Sequence, residues 1–206
     1  MEFGLKGHRI AILATDGVEE VELIEPRKAL DEAGAITEIV SLKAGKIQAY
    51  HHLEKGKSLA VDHALDDCHA SQYDALLLPG GVANPDALRM DPRAVQFVRE
   101  FMVSDKPVAA ICHAAWLLVE ADAVAGRTLT SWPSLQTDIR NAKGDWVDRE
   151  VVIDDKLITS RKPEDLPAFT AAIVREFANR MDEAKVDQLS EQSFPASDPP
   201  PGPSAI

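Results

Sequence analysis

The sequence predicts an α/β fold, a doubly wound and mostly parallel central sheet with helices on both faces. Short apolar runs recur along the chain at Arg9–Ala14, Ile36–Leu42, Tyr73–Leu78 and Val108–Ile111. They are continuous rather than alternating, as strands covered on both faces are. Helix-length segments separate them, which is the pattern of βαβ units. With 206 residues, the chain is long enough to bury a substantial core without staples.

In order, Arg9–Ala14 reads as a buried strand and Asp16-Gly17 as a turn. The segment from Glu20 to Ala33 reads as a helix with apolar positions at Val21, Ile24 and Leu30, closed by Gly34. Ile36–Leu42 is a second strand. Lys43 to Val61, with Gly45 and Gly56, reads as a hairpin excursion. Tyr73–Leu78 is a third strand, stopped by Pro79-Gly80-Gly81. Asp91-Pro92 opens a helix, with proline at an early position, that runs to about Val103. Val108–Ile111 then leads without a loop into a helical segment, His113 to Glu120. A strand at Thr128–Ser131, a helix at Leu135–Ala142, short strands near 146–148, 151–153 and 157–160, and a helix from Glu164 to Met181 complete the domain. Residues 1–183 form one domain on this reading. Residues 184–206 form a disordered tail, because the run Ser193-Phe194-Pro195 through Pro203 cannot bury apolar area.

The composition narrows the function. Lys and Arg total 22 against 34 Asp and Glu, a formal net charge of −12, which opposes direct nucleic-acid binding and binding to anionic membranes. No apolar run reaches the roughly 18 residues of a spanning helix, and no export signal is apparent. Two cysteines make no disulfide framework, so reduced thiols in a cytoplasm are expected.

The chemistry gathers at Cys112-His113. A residue caught between a buried strand and a helix sits on a sharp turn with its side chain pushed outward, as in a nucleophile elbow. Its sulfur lies at a helix start, where unpaired N–H groups favour the thiolate. In open α/β sheets, ligands bind beyond the C-terminal ends of the strands. Here those ends carry Asp16-Gly17-Val18-Glu19-Glu20, Pro79-Gly80-Gly81 and Cys112-His113. On this reading Cys112 is the nucleophile. Glu19 is the acid beside it, with a raised pKa that lets it donate a hydrogen bond to the thiolate. The backbone N–H groups of Gly81 and His113 receive a developing oxyanion. Glu20 and Glu22 read as first-turn acids that complement the helix dipole. Cys68-His69 lacks a preceding buried strand and builds no elbow. His51, His52, His63 and His69 have poor spacing for a metal ion, so no metal and no cofactor are expected.

The segments Glu19-Glu20-Val21-Glu22-Leu23, Leu78-Pro79-Gly80-Gly81, Ala110-Ile111-Cys112-His113 and Thr130-Ser131-Trp132-Pro133 resemble the PfpI family (intracellular protease I, general stress protein). This family lies within the ThiJ/PfpI superfamily, itself related to class I glutamine amidotransferases. The resemblance extends through Asn141-Ala142, Trp146-Val147-Asp148, Val151-Val152-Ile153-Asp154 and Ser160-Arg161, and spans about Arg9 to Ala178. It implies a flavodoxin-like sandwich with Cys112 as nucleophile, Glu19 as its acid, and Gly80 and Trp132 in the pocket. It also implies that Asp86 of a neighbouring subunit orients His113, hence a homodimer or larger homo-oligomer.

Four functions are consistent with such a site. The favoured one is a stress-response enzyme, a deglycase or glyoxalase, acting on reactive carbonyl adducts through Cys112. A cysteine peptidase is second, weakened because adjacent side chains at a helix start should diverge and keep His113 from the sulfur. Glutamine hydrolysis calls for a histidine well after the cysteine, and none follows His113. A redox sensor using the same thiol is the fourth.

Overall fold

The computed structural model describes residues 4–193, with side chains through residue 181. The chain runs β1 (Arg9–Leu13), β2 (Val18–Glu19), α1 (Glu20–Glu32), β3 (Ile36–Ser41), β4 (Lys46–His51), β5 (Glu54–Ala60) and β6 (His63–Ala64). It continues through β7 (Ala75–Leu78), α2 (Ala83–Arg89), α3 (Pro92–Val103), β8 (Val108–Ile111), α4 (Ala115–Glu120), β9 (Thr128–Leu129) and α5 (Gln136–Asn141). β10 (Asp145–Trp146), β11 (Val151–Asp154), β12 (Leu157–Ser160) and α6 (Leu166–Ser193) follow.

The central sheet has the order β11-β12-β8-β7-β1-β3-β6. Every pairing is parallel except that of the edge strand β11 with β12. Alternation along each strand divides the core in two. Ile10, Ile12, Leu77, Ala109 and Ile111 face α1 and α6, where Leu23, Leu30, Phe169, Ile173 and Phe177 meet them. Ala11, Leu13, Leu76, Leu78 and Ala110 face α3, α4 and α5, where Phe97, Phe101, Leu117 and Ile139 close the other layer. Each buried large apolar side chain contributes about 1.5–3 kcal/mol of transfer free energy, and both layers are built from them.

The chain departs β1 toward β3 on one side and returns at β7 on the other. The strand order therefore reverses between β1 and β7, and a crevice opens at the carboxyl ends of such strands. A small second sheet, with β2 parallel to β4 and β4 antiparallel to β5, stands beside that crevice. It carries Tyr50 and the His51-His52-Leu53 turn.

Several expectations are corrected. A helix, α2, occupies Ala83–Arg89 directly after the glycine turn, where none was expected. The segment after Cys112 begins as a 3-10 turn, Cys112–Ala114, and becomes α-helical only at Ala115. β9 ends at Leu129 rather than at residue 131. α6 runs on to Ser193, so the boundary expected at 183 falls inside a helix; the rest of the expected tail, 194–206, lies outside the described residues. No helix among the described residues is long and apolar enough to cross a membrane.

Candidate active site

The elbow forms where β8 delivers an extended chain to Cys112, whose φ is +63°. A side-chain-bearing residue in this left-handed region is strained by roughly 1–2 kcal/mol. The Cys112 carbonyl accepts a hydrogen bond from the Trp132 N–H at 3.1 Å, which helps hold the turn. The backbone N–H groups of His113 and Gly81 both point at the sulfur. The turn also swings adjacent side chains together. Cys112 Sγ lies 3.2 Å from His113 Nδ1, so the expectation that neighbouring side chains diverge here is corrected. Regular helical geometry would separate them; the positive φ removes that geometry. The His113 imidazole is buried, which lowers its pKa, and it stacks on Trp132 with ring centroids 5.6 Å apart.

Glu22 supplies the carboxyl at the sulfur. Its side chain is fully buried. Oε2 accepts the Gly80 N–H at 3.0 Å, Oε1 is buried without a hydrogen-bond partner, and the carboxyl as a whole lies against the Cys112 thiol. Burial pushes this carboxyl up to about 8 against the opposing hydrogen bonds from Cys112, Gly80 and Gly81. Burial, then the Glu22 charge, pushes the Cys112 thiol up as well. The two groups ionise as a unit, and burial raises both above their ordinary values, favouring the protonated forms. Burial thus opposes the thiolate expected from a helix start. Two N–H groups do not offset burial, and no α-helix begins at Cys112 itself.

Two glycines bring the walls together. A Cβ on Gly80 would lie 2.7 Å from Cys112 Cβ and 2.8 Å from the Ile111 carbonyl. Gly81, at φ +83°, passes so close to the β1–β2 loop that a Cβ would strike the Gly17 carbonyl oxygen and lie 2.7 Å from Glu19 N. Substituting Gly81 by alanine is expected to destabilise the protein by more than about 2 kcal/mol, from backbone clash plus left-handed strain. It should also displace the N–H aimed at Cys112. Urea midpoints and Cys112 alkylation rates measure the two effects, and an unchanged midpoint would contradict the packing described.

Above these residues opens a cavity of about 560 Å³, walled by Glu19, Glu22, Tyr50, Cys112, His113 and Trp132 among others. The DJ-1/PfpI family pattern matches residues 8–176 of this chain. The chain belongs to the DJ-1/PfpI family. It is 45% identical over 168 residues to General stress protein 18 of Bacillus subtilis, covering 79% of this chain and 94% of that one. It is 42% identical over 172 residues to Protein/nucleic acid deglycase 2 of Escherichia coli, covering 81% and 96%. Among solved structures, DJ-1beta of Drosophila melanogaster superposes with a TM-score of 0.76 at 25% identity, covering 91% of this chain and 99% of that one. These likenesses agree with the flavodoxin-like α/β architecture.

Within this DJ-1/PfpI domain, the residues singled out from sequence divide. Cys112, His113, Gly81 and Trp132 line the cavity, while Gly80 packs behind it against Glu22 and Cys112. Glu19 also lines it, but its Oε2 accepts the His52 N–H at 3.0 Å, and no hydrogen bond joins it to Cys112. The acid expected at residue 19 is thus found at residue 22. Glu19 belongs to β2 and pairs with Tyr50 of β4, which turns it toward the hairpin. Asp86 is exposed on α2, and no residue of its own chain pairs with it among the described residues. Asn84 was not anticipated. It is fully buried, its Oδ1 accepts the Thr15 N–H at 2.7 Å, and its Nδ2 donates to the Pro79 and Gly80 carbonyls at 2.9 and 3.0 Å. It staples the β1 loop to the glycine turn, a role that nothing in its local sequence advertises.

Proposed function

We propose that the protein is a cysteine-dependent hydrolytic enzyme that removes reactive-carbonyl adducts, such as those of methylglyoxal, from amines. The observation that carries this reading is the Cys112 sulfur at the base of an open cavity, within 3.2 Å of His113 Nδ1 and against the buried Glu22 carboxyl. Relatives named deglycase from Escherichia coli and from Pyrococcus furiosus, the latter 38% identical over 167 residues, support it.

Cys112 Sγ adds to the adduct's carbonyl carbon as the thiol proton leaves for His113 Nδ1. The C–S bond forms, and the carbonyl π pair moves onto oxygen. The Gly81 and His113 N–H groups stabilise that oxygen as it gains charge, and Glu22, holding its proton near neutrality, protonates it. The carbinol hydrogen then shifts to that carbon as the C–S bond breaks and the thiolate leaves, giving a 2-hydroxyamide, and water cleaves its C–N bond to release the amine and a hydroxy acid while Cys112 regains its proton. One water enters and no external oxidant is needed, since the adduct's two carbons exchange oxidation level between themselves.

A second reading, peptide hydrolysis, draws on the same Sγ–Nδ1 proximity and on a Bacillus subtilis relative named a putative cysteine protease, 42% identical over 161 residues. The test incubates the protein with the methylglyoxal adduct of Nα-acetylarginine and, separately, with a fluorogenic peptide. Adduct loss no faster than in buffer would end the first reading, and peptide cleavage without adduct loss would establish the second.

We further assign the protein to the cytoplasm and to a homo-oligomer. Support comes from two free cysteines and from Asp86 on a short helix flanked by the exposed apolar Val82 and Met90. A second subunit against that face would bring Asp86 to the His113 of its partner.

A further inference from the structure

Glu19, displaced from the role expected of it, retains an unused feature. The residue is only 8% exposed. Its Oε2 is held by the hairpin at His52. Its Oε1 accepts no hydrogen bond from any described residue, although Glu19 lines the cavity. A carboxylate oxygen that takes no hydrogen bond and belongs to a residue lining a cavity is an acceptor open to a donor carried by a ligand, and a charged donor makes the stronger bond there.

The surroundings say which donor. The cavity lining holds Asp16, Glu19 and Glu22 and contains no lysine or arginine. Asp16 stands exposed, with Oδ1 taken by the Gln48 N–H at 2.7 Å. Trp132, 38% exposed, lines the same space. Its flat indole suits a planar delocalised cation, as does the Tyr50 ring. The net charge of −12 adds a long-range field of the same sign.

We propose that Glu19 is a specificity-determining residue that reads a guanidinium group, so that the cavity selects arginine-borne adducts over neutral thiol-borne ones. This rests on the hydrolytic reading above for its substrate, but not for its binding chemistry. The guanidinium donates to Glu19 Oε1 while its plane lies along Trp132, which holds the carbonyl attached to it over Cys112. No bond to Glu19 forms or breaks.

The test separates binding from turnover. Carbamidomethylation of Cys112 by iodoacetamide is followed by peptide mass spectrometry in the presence of Nα-acetylargininamide or its neutral isostere Nα-acetylcitrullinamide. The arginine derivative is expected to protect at a roughly tenfold lower concentration, the scale of one charge-assisted hydrogen bond. Glu19→Gln is expected to abolish that preference, while Glu19→Asp keeps part of it. Asp16→Asn, at an exposed position, should reduce it by a smaller factor and serves if Glu19→Gln does not fold. In turnover, the ratio of kcat/KM for Nα-acetylarginine adducts to that for Nα-acetylcysteine adducts should fall roughly tenfold in Glu19→Gln.

Equal protection by the two probes, or a preference that survives Glu19→Gln, overturns the inference. Adduct turnover without charge discrimination overturns it alone. Arginine-selective protection without any adduct turnover sustains it and overturns the hydrolytic reading instead.

Discussion

Replacing Cys112 by serine is expected to lower adduct turnover by on the order of 10⁴-fold or more while leaving the fold intact. Serine nearly matches the volume and keeps the Gly81 and His113 N–H groups supplied with an acceptor, so the elbow persists. Its hydroxyl is far less acidic than a thiol, and neither His113, whose basicity burial lowers, nor Glu22, protonated near neutrality, removes its proton readily. The measurement is initial rates at matched protein concentration, with thermal melts to show that the variant is folded. A serine variant retaining more than a small fraction of the rate would remove Cys112 from the chemistry. A companion pair isolates the strain. Cys112→Gly and Cys112→Ala both lack the thiol, but only glycine adopts φ +63° without steric cost. The glycine variant is therefore expected to be the more stable by about 1 kcal/mol, and equal urea midpoints would show that the elbow stores no strain.

Replacing Glu22 by glutamine is expected to lower kcat by about 10²–10⁴-fold, the range for loss of a general acid–base group, while making the protein more stable at mildly alkaline pH. The stability effect follows from the raised carboxyl. The unfolded chain releases the Glu22 proton near 4.3, whereas the folded chain holds it until about 8. Between those values the folded state binds more protons, so stability falls as pH rises, at up to about 1.4 kcal/mol per pH unit. Below the window both states are protonated and the contribution vanishes. Glutamine still accepts the Gly80 N–H but has nothing to ionise. The variant should match the wild type near pH 4.5 and exceed it by several kcal/mol at pH 8, as read from urea midpoints. Parallel pH profiles would mean that Glu22 is not desolvated in solution. An acid that costs stability in the pH range where it is used is the trade expected of a functional group held in the wrong solvent for its charge.

The elbow was legible in the sequence because it is local. Four apolar residues ending at Cys112, with helix-forming residues directly after, leave the chain little choice but a sharp turn. The convergence of Asp16-Gly17, Pro79-Gly80-Gly81 and Cys112 was legible too, because an α/β sheet puts the carboxyl ends of its strands on one edge. The choice among Glu19, Glu20 and Glu22 was not. All three lie within one turn of chain, and their directions depend on a pairing between Glu19 and Tyr50 that no local pattern records. Glu20 is drawn to the hairpin at the Lys57 N–H, Glu19 to His52, and Glu22 alone turns under the sheet edge to Gly80 and Cys112. The meeting of His113 with the sulfur escaped for a related reason, since a reading that assumes regular helix geometry does not anticipate a residue at positive φ.

The amino-acid pattern alone set the alternation of buried strands and covering helices and the position of Cys112 and the two glycine turns at strand ends. These are set by periodicity and by contacts between residues close in the chain. Packing between distant segments settled which carboxyl faces that thiol, that burial raises the pKa of both, and that Glu19 keeps an oxygen without a hydrogen-bond partner. Charge state and partnership depend on how much water remains around a group once distant segments have packed against it, and that is a property of the assembled fold rather than of any residue in it.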